Sequence, residues 1–118
     1  QEFIRAQGIH VFTMHEIDRL GIFRVMEKAL EIVTEDTEGV HLSLDLDGLD
    51  PHDAPGVGTP VCGGISLRES LLAMEMICET NSLISAEFVE VNPALDHKNQ
   101  TAIAAVEHIS ALFGEKIL

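Results

Sequence analysis

Three aspartates follow an apolar segment, within the run HLSLDLDGLDP at residues 41–51. Asp45, Asp47 and Asp50 fall within six residues, and Pro51 closes the run. Because residues i and i+2 of a strand point to the same side, we expect Asp45 and Asp47 to project together from the end of a buried strand. Neighbouring carboxylates repel each other, and burying them is costly unless a cation lies between them. Mn²⁺ and Mg²⁺ prefer such oxygen ligands, so the pattern predicts a metal site.

Three other kinds of site can contain a run of this type. An EF-hand loop counted from Asp45 would place Leu49 where a fifth-position Asp is expected and Gly56 where a twelfth-position Glu is required, so it is excluded. A phosphotransfer enzyme with an Asp nucleophile can also show D-x-D-G after an apolar strand, although Thr or Val usually follows where this chain has Leu49. A structural turn with solvated carboxylates is the third interpretation. The motif alone leaves the last two open.

A further carboxylate, Glu90, lies in an apolar segment later in the chain. Its neighbours Phe88, Val89 and Val91 are apolar, and a parallel strand that is buried on both faces seldom tolerates a charge. We therefore expect Glu90 at the C-terminal end of a strand, the edge at which open α/β sheets bind ligands. The alternative is an ordinary strand-end carboxylate that caps a loop.

Several motifs, in order along the chain, resemble the signature of the ureohydrolase family, the binuclear manganese enzymes that include arginases and agmatinases. The motifs are SLDLDGLDP at 43–51, DPHDAPGVGTP at 50–60 and VCGGISLRE at 61–69. The segment VEVNP at 89–93 and the glycine at 48 resemble the arginase branch in particular. VFTMHEID at 11–18 is similar to the bacillary members, so the resemblance covers essentially the whole chain.

This resemblance implies a reaction and a set of site residues. The reaction is metal-assisted hydrolysis of L-arginine to L-ornithine and urea, with two Mn²⁺ ions per full-length subunit. Asp45 would bridge the two ions, Asp47 would bind one of them, Glu90 would hold the guanidinium, and Thr59 would line the substrate site near Glu90. The alternatives are an agmatinase or another guanidino-hydrolase, or a non-catalytic α/β fragment.

The family members are longer than this chain, and the resemblance places residues 1–118 in the C-terminal fragment of a single ureohydrolase domain. The family's other metal ligands belong to a Gly/His-rich loop and an Asp-Ala-His-x-Asp motif, and neither motif occurs in this sequence. The catalytic proton shuttle is absent too, so no catalytic residue is assigned and we expect the isolated chain to be inactive. The full-length enzyme is expected to be a cytoplasmic homo-oligomer, a trimer or a hexamer, with the last helix and residues 116–118 contributing to assembly.

Composition sets outer limits on function. Hydrophobic residues make up 46% of the chain, too many for a disordered tail, and no apolar run approaches membrane-spanning length. The formal charge of −13 argues against nucleic acid and anionic membranes as partners. That charge would suit a cationic substrate, but acidic surfaces usually serve solubility. Cys62 and Cys78 lack metal-binding spacing and are expected to be small buried or half-buried thiols in a reducing compartment.

Strand-like and helix-like segments alternate along the chain and must position these residues. Strands are expected at 8–14, 40–46 and 83–91, and helices at 16–35, from a Ser66 cap to about 79, and at 98–113. Ser66 and Glu69 have the spacing of a capping box, and the Gly- and Pro-rich segment 48–64 is expected to be a loop. The alternation predicts an α/β fold with a parallel sheet in three α/β/α layers. The resemblance makes this the C-terminal portion of the arginase fold.

Overall fold

The structure, a computed structural model, describes residues 2–116, apart from the side chains of Glu2 and Arg5. Ile117 and Leu118, which were expected to contribute to assembly, lie outside the described residues. The elements are helix α1 (Glu2–Ala6), α2 (Met14–Leu20), α3 (Ile22–Thr34), strand β1 (Val40–Asp45), a 3-10 turn (Leu46–Gly48), α4 (Leu67–Thr80), β2 (Leu83–Val89) and α5 (Gln100–Leu112). In the described part of the chain, no helix has the length and apolar character needed to cross a membrane.

Strands β1 and β2 pair in parallel, with His41 opposite Ser85 and Asp45 opposite Val89. The connection between them is a long loop followed by α4, so the crossover unit expected from the alternating pattern is present. Parallel pairing also brings the carboxyl ends of both strands to the same edge. The α/β class with a parallel sheet is therefore confirmed, and the two strands end where the candidate residues begin.

The main core lies where α4 and α5 pack together and cover the sheet. Buried side chains of these helices contact partly buried ones of the strands, and the cluster comprises Leu71, Ala73, Met74, Ile77, Ala111 and Leu112 with Leu42, Leu44 and Phe88 among its neighbours. Ser66 begins α4 as expected, because its hydroxyl accepts the Glu69 N–H at 3.3 Å while the Glu69 carboxylate accepts the Ser66 N–H at 3.0 Å. This capping box satisfies two backbone donors that the first helical turn leaves unpaired.

A second core cluster lies beneath the loop that follows β1. Leu46, Leu49, Ala54 and Val57 are buried there, so the first half of this loop has a packed interior. Burial of this apolar surface holds the loop backbone against the end of the sheet. Cys62, further along the same loop, is exposed, which contradicts the expectation of a buried or half-buried thiol.

The strand expected at residues 8–14 is absent. Residues 9–13 belong to neither a helix nor a strand, and α2 already begins at Met14. Ile9 and Val11 are 55% and 54% exposed, so the apolar alternation that suggested a strand meets no partner among the described residues. A strand exists only through hydrogen bonds to a neighbouring strand, and sequence alternation alone does not supply that neighbour.

The single helix expected at 16–35 is divided into two at Gly21. This glycine has φ +78°, a conformation that other residues seldom adopt, and its N–H donates to the Ile17 carbonyl at 2.7 Å to end α2. Helix α3 then starts at Ile22. The apolar spacing was compatible with one continuous helix because Ile17, Ile22 and Val25 do share one buried cluster.

Candidate functional site

Asp45 and Asp47 lie next to each other at the end of β1, but only Asp45 belongs to the strand. The chain turns immediately into the 3-10 turn, and Asp47 lies on that turn. The expectation that both project from one strand face is therefore wrong. The reason is local: Oδ1 of Asp45 accepts the backbone N–H of Asp47 at 3.2 Å, a side-chain cap that favours a turn over continued strand. Both residues still lie at the carboxyl edge of the sheet.

Thr59 contacts Asp47. Its hydroxyl Oγ1 donates a hydrogen bond of 2.6 Å to Oδ2 of Asp47, which lies 12 positions earlier in the chain. Sequence reasoning expected Thr59 beside Glu90, whereas the polar contact that its side chain makes is with the aspartate. The bond restricts the orientation of the Asp47 carboxylate.

Glu90 directly follows the last residue of β2 and has an uncommon backbone. Its φ is +68°, in the left-handed region that residues with a Cβ rarely occupy. The expected strand to Val91 therefore ends earlier, at Val89. A Cβ built at Gly58 would lie 3.4 Å from Oε2 of Glu90, so the loop backbone passes directly beside this carboxylate. No hydrogen bond or ion pair engages the Glu90 carboxylate within the described part of the chain.

Gly56 connects the loop to the segment after β2 and to the start of α5. Its carbonyl accepts the Asn92 N–H at 2.7 Å, and its N–H donates to Oγ1 of Thr101 at 2.7 Å. Thr101 is fully buried. Sequence reasoning gave neither Gly56 nor Thr101 a role, since no local pattern relates positions that lie 45 residues apart.

Two further carboxylates hold the loop through backbone donors. Oδ1 of Asp50 accepts the His52 N–H at 2.9 Å and Oδ2 accepts the Gly63 N–H at 2.8 Å, and these donors lower the pKa of Asp50 from its ordinary value. Oδ2 of Asp53 accepts the Leu67 N–H at 2.8 Å, at the start of α4. Asp50, the third aspartate of the run, therefore joins the two ends of the loop through hydrogen bonds from His52 and Gly63.

The donor set at the end of β1 fits part of a metal site. Asp45 and Asp47 offer the hard oxygen ligands that Mn²⁺ accepts. Across residues 2–116, no group of three or more His, Cys, Asp or Glu side chains is arranged to hold a metal ion. The two carboxylates at the end of β1 can thus contribute to a site whose other ligands come from elsewhere. The exposed Glu90 carboxylate at the same edge of the sheet can form an ion pair with a cation.

Comparison with known proteins gives consistent matches along the chain. The family model described as "Arginase family" matches residues 1–114. The chain is similar to the arginase of Bacillus caldovelox, at 62% identity, and to that of Brevibacillus brevis, at 61% identity, each over 118 residues. These alignments cover 100% of this chain and 40% of each relative, so the chain spans about two-fifths of their length.

The fold agrees with a solved structure of the same group. The native structure of Bacillus caldovelox arginase superposes with a TM-score of 0.95 at 62% identity, covering 99% of this chain and 39% of that chain. The likeness therefore includes the loop and both strand ends, because it extends over nearly all residues of this chain.

Proposed function

This chain belongs to the arginase family, and from that premise we propose that it is the C-terminal part of a binuclear manganese arginase. The enzyme would hydrolyse L-arginine to L-ornithine and urea, as part of arginine metabolism and the urea cycle. Residues 1–118 would be one fragment of a single ureohydrolase domain, and we call the full-length protein that contains them the parent. The parent, with its remaining metal ligands and proton shuttle, is the proposed catalyst.

The observation that supports a guanidino substrate most directly is the backbone conformation of Glu90 together with the exposure of its carboxylate. A residue with a Cβ at φ +68° costs of order 1–3 kcal/mol, and such strain clusters at binding sites. Positive φ also occurs here at other residues with a Cβ: Asp36, Asn81, Lys98 and Asn99. The strain of Glu90 therefore supports a binding role together with its exposed carboxylate, and not by itself. The Glu90 carboxylate is exposed, and Gly58 beside it carries no side chain that would cover it. A carboxylate held in this way is suited to a guanidinium, whose planar fork of N–H donors forms paired, charge-assisted hydrogen bonds.

Asp45 and Asp47 are the proposed metal ligands of this chain: Asp45 would serve both Mn²⁺ ions and Asp47 would hold one of them. Manganese at this edge would supply Lewis acidity and a water of lowered pKa close to neutral pH. Thr59 would have two functions: its hydroxyl orients the Asp47 carboxylate, and its position in the loop lines the substrate site. Outer partners of this kind fix ligand geometry in metal sites.

The residues of this chain would mainly bind and orient the substrate. Glu90 would hold the guanidinium group so that its carbon faces the end of β1, where Asp45 and Asp47 lie. The Gly56–Thr59 part of the loop would form one wall of the site, and the buried side chain of Val57 in this segment would anchor it to the core. Orientation of this kind removes an entropic share of the barrier.

We further propose that the parent is a cytoplasmic homo-oligomer, a trimer or a hexamer. This proposal rests on the family resemblance. The alternative functions are an agmatinase or another guanidino-hydrolase, which would share the ligands of β1 and differ in the parts that recognise the rest of the substrate, and a non-catalytic α/β fragment.

The test is a urea assay on the purified parent with L-arginine and with agmatine, before and after removal of metal by chelation. We expect manganese-dependent urea release with L-arginine as the preferred substrate. Preference for agmatine would replace the arginase proposal by its alternative, and absence of urea from either substrate in manganese-loaded protein would refute guanidino hydrolysis.

A further inference from the structure

Thr101, in the first turn of α5, is a buried polar residue that the proposed chemistry does not use. Its relative exposure is 0%, and its Oγ1 accepts the Gly56 N–H at 2.7 Å. The Thr101 hydroxyl also hydrogen-bonds to the Asp96 carboxylate, which in turn accepts the Thr101 backbone N–H at 3.0 Å. One hydroxyl thus joins the loop, the segment after β2 and α5.

The loop backbone is packed tightly at Gly56, with no space for a side chain. A Cβ at this position would lie 2.4 Å from Cβ of Asp96, so the glycine backbone packs directly on that side chain. Burial by itself would raise the pKa of Asp96, but the N–H groups of Thr101 and Ala102 outweigh it, and the pKa is lowered. Asp96 therefore stays charged and keeps the start of α5 in place.

Two contacts connect Gly56, which the Thr101 hydroxyl holds, with the surroundings of Glu90. The Gly56 carbonyl binds the Asn92 N–H at 2.7 Å, two residues after Glu90. Two residues after Gly56, Gly58 lies against the Glu90 carboxylate. A displacement at Gly56 would therefore reach the contact beside the carboxylate through the two peptide units that lead to Gly58.

We propose that Thr101 is a positioning residue for substrate binding: its hydroxyl fixes Gly56 and thereby sets how closely Gly58 approaches Glu90. This inference rests on the proposed function, because it assumes that Glu90 binds the guanidinium. Loops are mobile unless a rigid element holds them, and α5 is the rigid element here. A misplacement of about 1 Å at a binding group can cost up to about a hundredfold in rate.

The main variant is Thr101→Val in the parent, which keeps the shape of the side chain and removes the hydroxyl. We expect KM for L-arginine to rise about fivefold, the change that loss of one net hydrogen bond of about 1 kcal/mol produces. Manganese content should equal that of the wild type, and kcat should change less than KM. Thr101→Ser, which restores the hydroxyl, should return KM to within about twofold of the wild type.

The matched control is Ser70→Ala, because Ser70 is also a buried hydroxyl and its hydrogen bonds join the Leu67 carbonyl of α4 and His108 of α5. It should lower thermal stability and leave KM unchanged. If Thr101→Val does not fold, Thr101→Cys, whose thiol is a weak acceptor, takes its place with an intermediate KM.

Amide hydrogen exchange of the peptide that contains residues 54–60 gives a readout that is independent of activity. Exchange should be faster in Thr101→Val than in the wild type and in Thr101→Ser. Unchanged exchange overturns the proposal, and so does faster exchange with a wild-type KM. If the wild-type parent does not hydrolyse L-arginine, the proposed function fails by itself, and the exchange comparison alone then decides whether Thr101 positions the loop.

Discussion

The hydroxyl of Thr59 donates a hydrogen bond of 2.6 Å to Oδ2 of Asp47. This bond joins the glycine-rich loop to the turn at the end of β1 and fixes the orientation of one carboxylate in the candidate metal site. It also connects a residue expected to line the substrate site with a residue expected to bind metal. A substitution at Thr59 in the loop can therefore change the orientation of the Asp47 carboxylate and, through it, metal binding.

Removal of the Thr59 hydroxyl should weaken manganese binding. In the parent, we expect Thr59→Val to lower manganese affinity about tenfold, because loss of an outer partner of a ligand typically costs about 10–100-fold. Manganese titration of the metal-free protein measures the change, with Thr59→Ser as the control that retains the hydroxyl. Unchanged affinity in Thr59→Val would mean that the bond does not support a metal ligand.

Substitution of the two aspartates should have unequal effects. Asp45→Ala in the parent should lower manganese content at both positions and abolish turnover, because the proposed bridging carboxylate serves two ions. Asp47→Ala should weaken one ion more than the other. Metal analysis of each purified variant measures this, with Glu38→Ala as an exposed control just before β1. Full occupancy and normal rates in both variants would remove Asp45 and Asp47 from the site.

Glu90→Gln in the parent should impair substrate binding and leave the metal unchanged. The variant keeps the shape of the side chain and removes its charge, and a hydrogen bond to a charged group contributes roughly 1.5–3 kcal/mol. We expect at least about a tenfold loss in kcat/KM for L-arginine, since about 1.4 kcal/mol corresponds to a factor of ten. Steady-state kinetics and thermal melting of the same protein decide the role. Reduced stability with intact kinetics would identify Glu90 as a structural strand-end residue, and Glu107→Gln on α5 serves as the control.

The isolated 118-residue chain should not hydrolyse L-arginine in the presence of manganese. Asp45 and Asp47 are too few ligands for two ions, and a catalytic site also needs the outer partners of its ligands. Urea release measured beside an equal concentration of the parent tests this. A rate for the chain near that of the parent would show that its residues suffice.

Stability should depend on the protonation of His108, which is fully buried between α4 and α5. Nδ1 lies 2.6 Å from the Ala104 carbonyl and Nε2 lies 2.7 Å from the Ser70 hydroxyl. Since a carbonyl only accepts, Nδ1 carries the proton of the neutral ring. The Ser70 hydroxyl also lies 2.9 Å from the Leu67 carbonyl, so its single proton is shared between that carbonyl and Nε2 as acceptors. Burial lowers the pKa of His108 from its ordinary value.

The sign of the pH effect follows from that lowered pKa. The contribution of neutral His108 to folding is fully present above the unfolded pKa of about 6.5 and is lost as the pH falls below it towards the folded pKa. Denaturant unfolding of the parent at a series of pH values between about 8 and 5 should show falling stability, with a smaller slope in His108→Gln. The exposed His97→Gln should keep the wild-type slope, and equal slopes in all three proteins would contradict the prediction.

The sequence was informative where the determining interactions are local. Ser66 and Glu69 cap α4 as their spacing predicts, because both hydrogen bonds form within one helical turn. The apolar residues before Asp45 form β1, and the glycines and prolines after it form a loop. The sequence accordingly predicts Asp45, Asp47 and Glu90 close to the ends of the two strands, and the structure places them at the last residue of β1, on the turn after it and directly after β2.

Features that depend on distant contacts could not be predicted in this way. The strand expected at 8–14 needed a neighbour that the local pattern does not specify, and Thr101 reaches Gly56 across 45 residues of chain. The position of Asp47 was missed although its cause is local, because the hydrogen bond from its N–H to the Asp45 side chain competes with strand hydrogen bonding and is not specified by the apolar pattern. The left-handed backbone of Glu90 is likewise invisible in a list of residue types.

The parallel pair of β1 and β2 has a consequence for the handling of the isolated chain. Among the described residues each strand has one hydrogen-bonding partner, so the outer edges of both present rows of free N–H and C=O groups. Ile84 on β2 is also 73% exposed. Such edges are templates for intermolecular strand pairing. Concentrated solutions of the isolated chain should therefore form β-rich aggregates, and dilute, cold conditions with short storage times are the appropriate choice for work with it.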